Sequence, residues 1–193
     1  MGYARFMPDL DALARELDEA LLARREIQPL GKTHGEFDLA DAYRVQERGI
    51  ALRQKRGETI VGYKMGLTSA AKRAQMSLDL PIYGVLTSGM RIEGDVRVAD
   101  GVHPKVEPEI AFVTARELRG QVTRDQASAA LQSVMPALEV LDSLVQLVSM
   151  LPYPLPAGSI VLAGAATVAE QLAPGMLVTL EVEGLGSMSV KAT

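Results

Sequence analysis

Apolar positions recur with two different periods along this chain, and the period changes near Gly57. Leu10, Leu13, Leu17 and Leu21 return at helical spacing. Pro8-Asp9 opens that helix, and Asp9 and Asp11 stand in its first turn, where the helix dipole favours acidic groups. Pro29 and Gly31 end the pattern. A second helix is expected from Asp38, a good N-cap with Asp41 three residues on, to about Lys55, stopping at Gly57. Its Arg44, Glu47, Arg48, Arg53 and Arg56 read as a solvated face. Residues 1–57 therefore form an N-terminal helical region.

Beyond it the pattern alternates. Thr59 to Met65 predicts a strand ending at Gly66, and Thr68 or Ser69 caps a short helix over 70–76. Pro81 breaks that helix before a strand over 83–87. Residues 90–98 predict two short strands around Gly94-Asp95. A strand carrying Glu107 and Glu109 follows, with Pro108 confining it to an edge or a bulge. Residues 123–133 predict a helix, 135–142 a strand and 144–151 a short apolar helix. Pro152, Pro154 and Pro156 force a turn. Strands are expected over 159–163, 176–183 and 187–191, the last two joined by a Gly184-Leu185-Gly186 hairpin turn. The fold class is α+β: residues 58–193 form a β-rich core that works with the helical arm as one functional domain.

Composition narrows the function. The 193 residues are 48% hydrophobic and 23% charged, ordinary for a globular chain. A net charge of −4 gives no basic footprint for nucleic acid. The chain has no cysteine, which excludes disulfides and thiolate chemistry, and its two histidines leave little room for a His-rich metal site. The N-terminus lacks a signal-peptide pattern and no apolar run reaches the length of a membrane span, so a cytoplasmic protein is expected.

Chemistry concentrates in Lys105-Val-Glu107-Pro-Glu109-Ile110. On a strand the two carboxylates share a face, flanked by apolar residues. Buried unpaired charge is costly, so the pair faces water or meets a cation. Glu139 stands in another apolar strand segment, where a salt bridge or a metal would account for it. Three carboxylates make an all-oxygen set that suits Mg²⁺ or Mn²⁺. Lys64 lies in an apolar strand, either snorkelling to the surface or placed to bind a carboxylate or move a proton. Thr68 and Ser69 either cap a helix or bind an anion there. His103 reads as a turn residue.

Taken in order, Gly62-Tyr-Lys-Met-Gly-Leu-Thr-Ser69, Ala74-Gln-Met76, Pro81-Ile-Tyr-Gly84, His103-Pro-Lys-Val-Glu-Pro-Glu-Ile-Ala111 and Leu138-Glu-Val-Leu-Asp-Ser143 resemble the 4-oxalocrotonate decarboxylase (2-oxo-3-hexenedioate decarboxylase) family. That family sits with the dienoate hydratases in the fumarylacetoacetate hydrolase superfamily. The resemblance implies a mixed β-sheet roll or barrel core with an N-terminal helical arm. It implies a lyase that uses Mg²⁺ or Mn²⁺ to decarboxylate 2-oxo-3-hexenedioate to 2-hydroxypenta-2,4-dienoate and CO₂ in catechol meta-cleavage. The family's metal carboxylates match Glu107, Glu109 and Glu139, and its active-site lysine matches Lys64. Asp79 matches a pocket-lining acidic position found in both branches. Ile82 resembles the decarboxylases, since hydratases more often carry an acid there. Thr167 ends Ala163-Gly-Ala-Ala-Thr167, where the family usually reads Thr-Gly-Gly-Ile-Thr.

One departure is larger. Ser143 is followed at once by what resembles the family's later helix. The family's core segment after Ser143, with an Ala-Asp-Asn-Ala-Ser-like active-site motif and several strands, has no counterpart in the sequence. A real deletion of that size should open the core, so the expectation is that the sequence joins across a gap and that Ser143 and Leu144 are not bonded neighbours. The resemblance also implies a homo-oligomer and a complex with the pathway hydratase. The alternative functions are the hydratase itself and a non-catalytic partner subunit.

Overall fold

The computed structural model describes residues 8–35, 37–135, 147–165 and 169–193. Glu139, Thr167 and the junction of Ser143 with Leu144 lie outside the described residues, as do most of the strand expected over 135–142 and the start of the helix expected over 144–151. The chain divides into two compact units.

The first unit comprises residues 1–59 and 99–102. Helix α1 (Leu10–Leu22) begins at Asp9, whose carboxylate accepts from the N–H groups of Asp11 and Ala12. Helix α3 (Leu39–Lys55) begins at Asp38, which caps the Asp41 N–H. A one-turn helix α2 (Leu30–Thr33), which the Pro29/Gly31 break does not anticipate, lies between them. Leu13, Ala14 and Val45 form the apolar contact, with Leu10 and Leu30 packed against it, while Leu17 and Leu21 are exposed. The arginine face of α3 is not merely solvated. Arg56 grips buried Asp18 with two bonds of 2.6 and 2.7 Å, and Arg48 reaches Asp11 at 2.7 Å. The Arg56 guanidinium holds the Asp18 carboxyl below its ordinary range.

The second unit comprises residues 60–98 and 103–193. Its centre is a five-stranded sheet in the order β2-β1-β6-β4-β5. These strands are β1 (Ile60–Gly66), β2 (Ile82–Thr87), β4 (Ala111–Thr114), β5 (Leu131–Met135) and β6 (Ile160–Leu162). Among the described residues only β1 and β6 run parallel in this sheet; the other neighbours are antiparallel. Two small antiparallel pairs accompany it: β3 (Lys105–Val106) with β7 (Glu170–Gln171), and β8 (Leu177–Val182) with β9 (Gly186–Lys191). The β8–β9 turn uses Gly184 and Gly186, both at positive φ, as the sequence predicts. Among buried side chains, Tyr63, Met65, Phe112 and Val161 form one face of the sheet.

Three expectations are corrected. No hairpin forms around Gly94-Asp95; Val96 instead pairs with the chain's C-terminal end, exchanging bonds with Lys191 and Thr193. A distant partner there overrides the local turn signal. The helix expected over 123–133 stops at Ser128 as α5 (Arg124–Ser128), and Leu131–Met135 joins β4 as a strand. The Thr123/Gln126 capping box starts this helix correctly, but pairing with β4 ends it. The strand expected to carry Glu107 and Glu109 ends at Val106, and the two residues lie in an irregular link to β4. Pro108 has no N–H to give a ladder, which accounts for the break.

β1 and β6 meet most tightly at Gly62, paired with Ile160. A Cβ at Gly62 would overlap the Ile160 carbonyl. Gly62→Ala should therefore cost about 3 kcal/mol or more, read as a lowered urea midpoint. A wild-type midpoint would contradict this packing.

Candidate active site

Register decides what Lys64 faces. Lys64 pairs with Gly84 on β2 and Leu162 on β6; Leu162 pairs with Ala111 on β4, and Ala111 with Met135 on β5. Residues directly paired across strands share a face. This row therefore points opposite to the buried Val85-Tyr63-Val161-Phe112 row. The direct neighbours of Lys64 in this row are Gly84, which has no side chain, and Leu162. The Ala163 N–H donates to the Ile110 carbonyl at 2.9 Å, continuing the β4–β6 register by one residue. One further step sets Glu109 opposite Gly164.

Glu109 thus arrives on the lysine's side of the sheet, and its Oε1 accepts from the Lys64 ammonium. Glu107 follows with Oε2 at 3.5 Å from Lys64 Nζ. The three groups differ in exposure: the Glu109 side chain is 8% exposed, Glu107 35% and Lys64 41%. The second Glu109 oxygen, Oε2, is buried with no hydrogen-bond partner among the described residues. A buried carboxylate oxygen without a partner carries the full desolvation cost. Two convergent carboxylates, one with a vacant buried oxygen, fit a hard divalent cation by their donor chemistry. Among the described residues no third carboxylate or histidine joins them; Glu139, the expected third, lies outside those residues.

The turn after β1 is braced from two sides. Leu67 adopts a positive φ of 55°, and Arg73 Nη1 donates to the carbonyls of Leu67 at 3.1 Å and Thr68 at 2.7 Å. Gly164, at φ +98°, packs on this turn: a Cβ there would stand 3.2 Å from Thr68 Oγ1 and 3.3 Å from the Met65 carbonyl. Thr68 is thus half-buried beside the lysine strand, while Ser69 is exposed and its carbonyl accepts the Arg73 N–H at the start of the six-residue helix α4 (Ala70–Gln75). Asp79 is exposed in the bend before β2. His103 is a turn residue at φ 50°. The sequence did not mark Arg73 or Gly164; the positive-φ turn that needs them has no signature at Leu67. On the opposite face, burial pushes the Tyr63 phenol well above its ordinary pKa, with Tyr153 beside it adding to the shift. A cavity of about 550 Å³ there is lined by Tyr63, Arg91, Tyr153 and Ser159, and by neither Lys64 nor the two glutamates.

Comparison with known proteins supplies what geometry alone does not. The chain is 31% identical to a 4-oxalocrotonate decarboxylase of a Pseudomonas species, over 95% of this chain and 98% of that protein. The chain belongs to the 4-oxalocrotonate decarboxylase family. That match runs over 252 residues, more than the 193 present here, so the relative has residues with no counterpart in this chain. Against the 4-oxalocrotonate decarboxylase of Pseudomonas putida the identity is 40% over 135 residues, 68% of this chain and 51% of the relative. Against the 2-hydroxyhexa-2,4-dienoate hydratase of Comamonas testosteroni it is 33% over 139 residues, 69% of this chain and 53% of the relative. The chain thus spans about half the length of these two relatives. Among solved structures, the 4-oxalocrotonate decarboxylase of P. putida G7 complexed with magnesium and adipate superposes with a TM-score of 0.90 at 27% identity, covering 95% of this chain and 97% of that one. A fumarylacetoacetate hydrolase family protein of Yersinia pestis CO92, 13% identical with a TM-score of 0.51 over 68% of this chain and 92% of that one, shares the fold. The fold is α+β and fumarylacetoacetate-hydrolase-like, as the resemblance implies. No family model matches the chain. Among the described residues no helix is long and apolar enough to cross a membrane.

Gly164→Ala should lower stability by about 1–3 kcal/mol, since it adds a contact with Thr68 and Met65 to the strain of positive φ. Gly158→Ala, also at positive φ but with open space around its Cβ, isolates the strain alone. Equal losses in thermal melts would remove the support that Gly164 gives the turn.

Proposed function

We propose that this chain is a divalent-metal-dependent lyase that decarboxylates 2-oxo-3-hexenedioate to 2-hydroxypenta-2,4-dienoate and CO₂. The observation that carries the reading is the convergence of Glu107 and buried Glu109 on Lys64, in a chain related to 4-oxalocrotonate decarboxylases. Glu107 and Glu109, with Glu139 as the third ligand by family resemblance, would hold Mg²⁺ or Mn²⁺. When bound, the ion would supply Lewis-acid stabilisation of the charge that develops on the 2-oxo oxygen.

The chain's own residues bind and move protons. The substrate carries two carboxylates and a conjugated ketone. Loss of CO₂ from the far end sends an electron pair through the conjugated system towards the 2-oxo oxygen. The Lys64 ammonium, half exposed on the same face, can donate hydrogen bonds to a substrate carboxylate or a proton to the enolate oxygen. Thr68, held beside it by Arg73 and Gly164, offers a hydroxyl for orientation, with Ser69, Asp79 and Thr167 as further pocket candidates.

The hydratase reading is favoured by one set of observations, the 33–39% identity to three hydratases. Ile82 weighs against it. It pairs with Gly66, which places it on the Lys64 face, and an aliphatic side chain there supplies no acceptor to activate water. A cytoplasmic location, a homo-oligomer and a complex with the pathway hydratase belong to the same proposal. A non-catalytic partner subunit is the outcome if neither substrate turns over.

The test supplies 2-oxo-3-hexenedioate and the 2-hydroxydienoate separately, with Mg²⁺ or Mn²⁺. CO₂ release from the first is expected; consumption of the second alone would make the protein a hydratase. Glu107→Gln should lower decarboxylation at least about a hundredfold, roughly the loss of a key electrostatic stabiliser. Undiminished metal-dependent turnover would remove Glu107 from the site.

A further inference from the structure

The cation that the two glutamates need is present here as a side chain. Lys64 Nζ bonds Glu109 Oε1 and lies 3.5 Å from Glu107 Oε2. Both described carboxylates that would hold a divalent ion are thereby engaged by the one lysine that would serve the substrate. An ammonium and a divalent ion held by the same two carboxylates repel each other at short range, so a bound ion weakens the hold on the lysine.

We propose that Lys64 is the internal counter-ion of the metal-free site, and that a divalent ion takes its place on Glu109 and turns the ammonium outward, towards where substrate binds. The proposal rests on the metal-site reading above. Three features carry it. Glu109 is almost fully buried and cannot follow the lysine out, because its backbone is tied to the sheet through the neighbouring Ile110 carbonyl. Lys64 is 41% exposed, and its β2 neighbour in the row is Gly84, which has no side chain to hold it in place, so its ammonium can swing to water at little cost. Glu109 Oε2 has no partner among the described residues even with Lys64 in place, so the lysine satisfies only half of the carboxylate. A divalent ion that engages both glutamates does better and releases the lysine. Metal binding therefore precedes presentation of the substrate-binding ammonium, which orders the two events: metal first, then the acid substrate.

The exchange predicts opposite effects of one substitution on two quantities. Lys64→Met removes the competitor, so the Mn²⁺ dissociation constant measured by calorimetry should fall about tenfold or more, the scale of one hydrogen bond to a charged group. It also leaves Glu109 unpaired without metal, so the melting temperature in EDTA should drop by several degrees and Mn²⁺ should restore it. Lys64→Arg keeps the charge and should stay near wild type in both. Lys191→Met, an exposed lysine on β9, measures the effect of losing any positive charge and should shift the Mn²⁺ constant less than about twofold. An unchanged or weaker Mn²⁺ affinity in Lys64→Met overturns the exchange. If neither wild type nor Lys64→Met binds Mn²⁺, the metal-site reading fails and the exchange fails with it. Binding by both at equal strength overturns the exchange alone.

Discussion

A carboxylate buried to the extent of Glu109 must have a cation, and much of the second unit's local geometry serves that requirement. Removing a carboxylate from water costs several kcal/mol unless charge and hydrogen bonds are returned to it. One oxygen receives the Lys64 ammonium and the other receives nothing from the described residues. The site is therefore half-compensated, a condition that structural ion pairs avoid and ion-binding sites use.

Delivery of the two charges depends on β6. It lies between β1, which carries Lys64, and β4, which follows Glu109. The parallel β1–β6 pairing and the antiparallel β6–β4 pairing place Lys64, Leu162 and Ala111 in one row. Close approach at Gly62 and Gly164 permits this spacing, because a Cβ at either would meet backbone or the Thr68 turn. Pro108 then frees Glu107 and Glu109 from ladder bonding, so their side chains converge on one amine instead of following a strict strand. The same face carries Ile82, an aliphatic group where water chemistry would want an acid.

Much of this was legible in the sequence, for identifiable reasons. The caps at Asp9 and Asp38 and the box at Thr123/Gln126 are local signals, and the helices start where those residues say. The Gly184-Leu-Gly186 turn is equally local. Errors arose where a distant segment decides. Val96 pairs with residues nearly a hundred positions away, and 131–135 is a strand only because β4 lies beside it. The two-residue strands β3 and β7 are too short to leave a periodic signal. The site divides in the same way. Alternation alone puts Glu107 and Glu109 on one side, but nothing local links them to Lys64, 45 residues from Glu109; the family resemblance made that link. Arg73 and Gly164 went unmarked because the backbone they brace has no residue signature at Leu67.

The central claim is that Glu109 is half of a divalent-metal site. Titrating Mn²⁺ into the protein and following the electron paramagnetic resonance signal of the free ion tests it directly. One Mn²⁺ should disappear from the signal per chain, and Glu109→Gln should leave the signal as in buffer, with a circular dichroism spectrum like that of wild type. A folded wild type that leaves Mn²⁺ free, or a folded Glu109→Gln variant that still takes up one ion, would contradict the account.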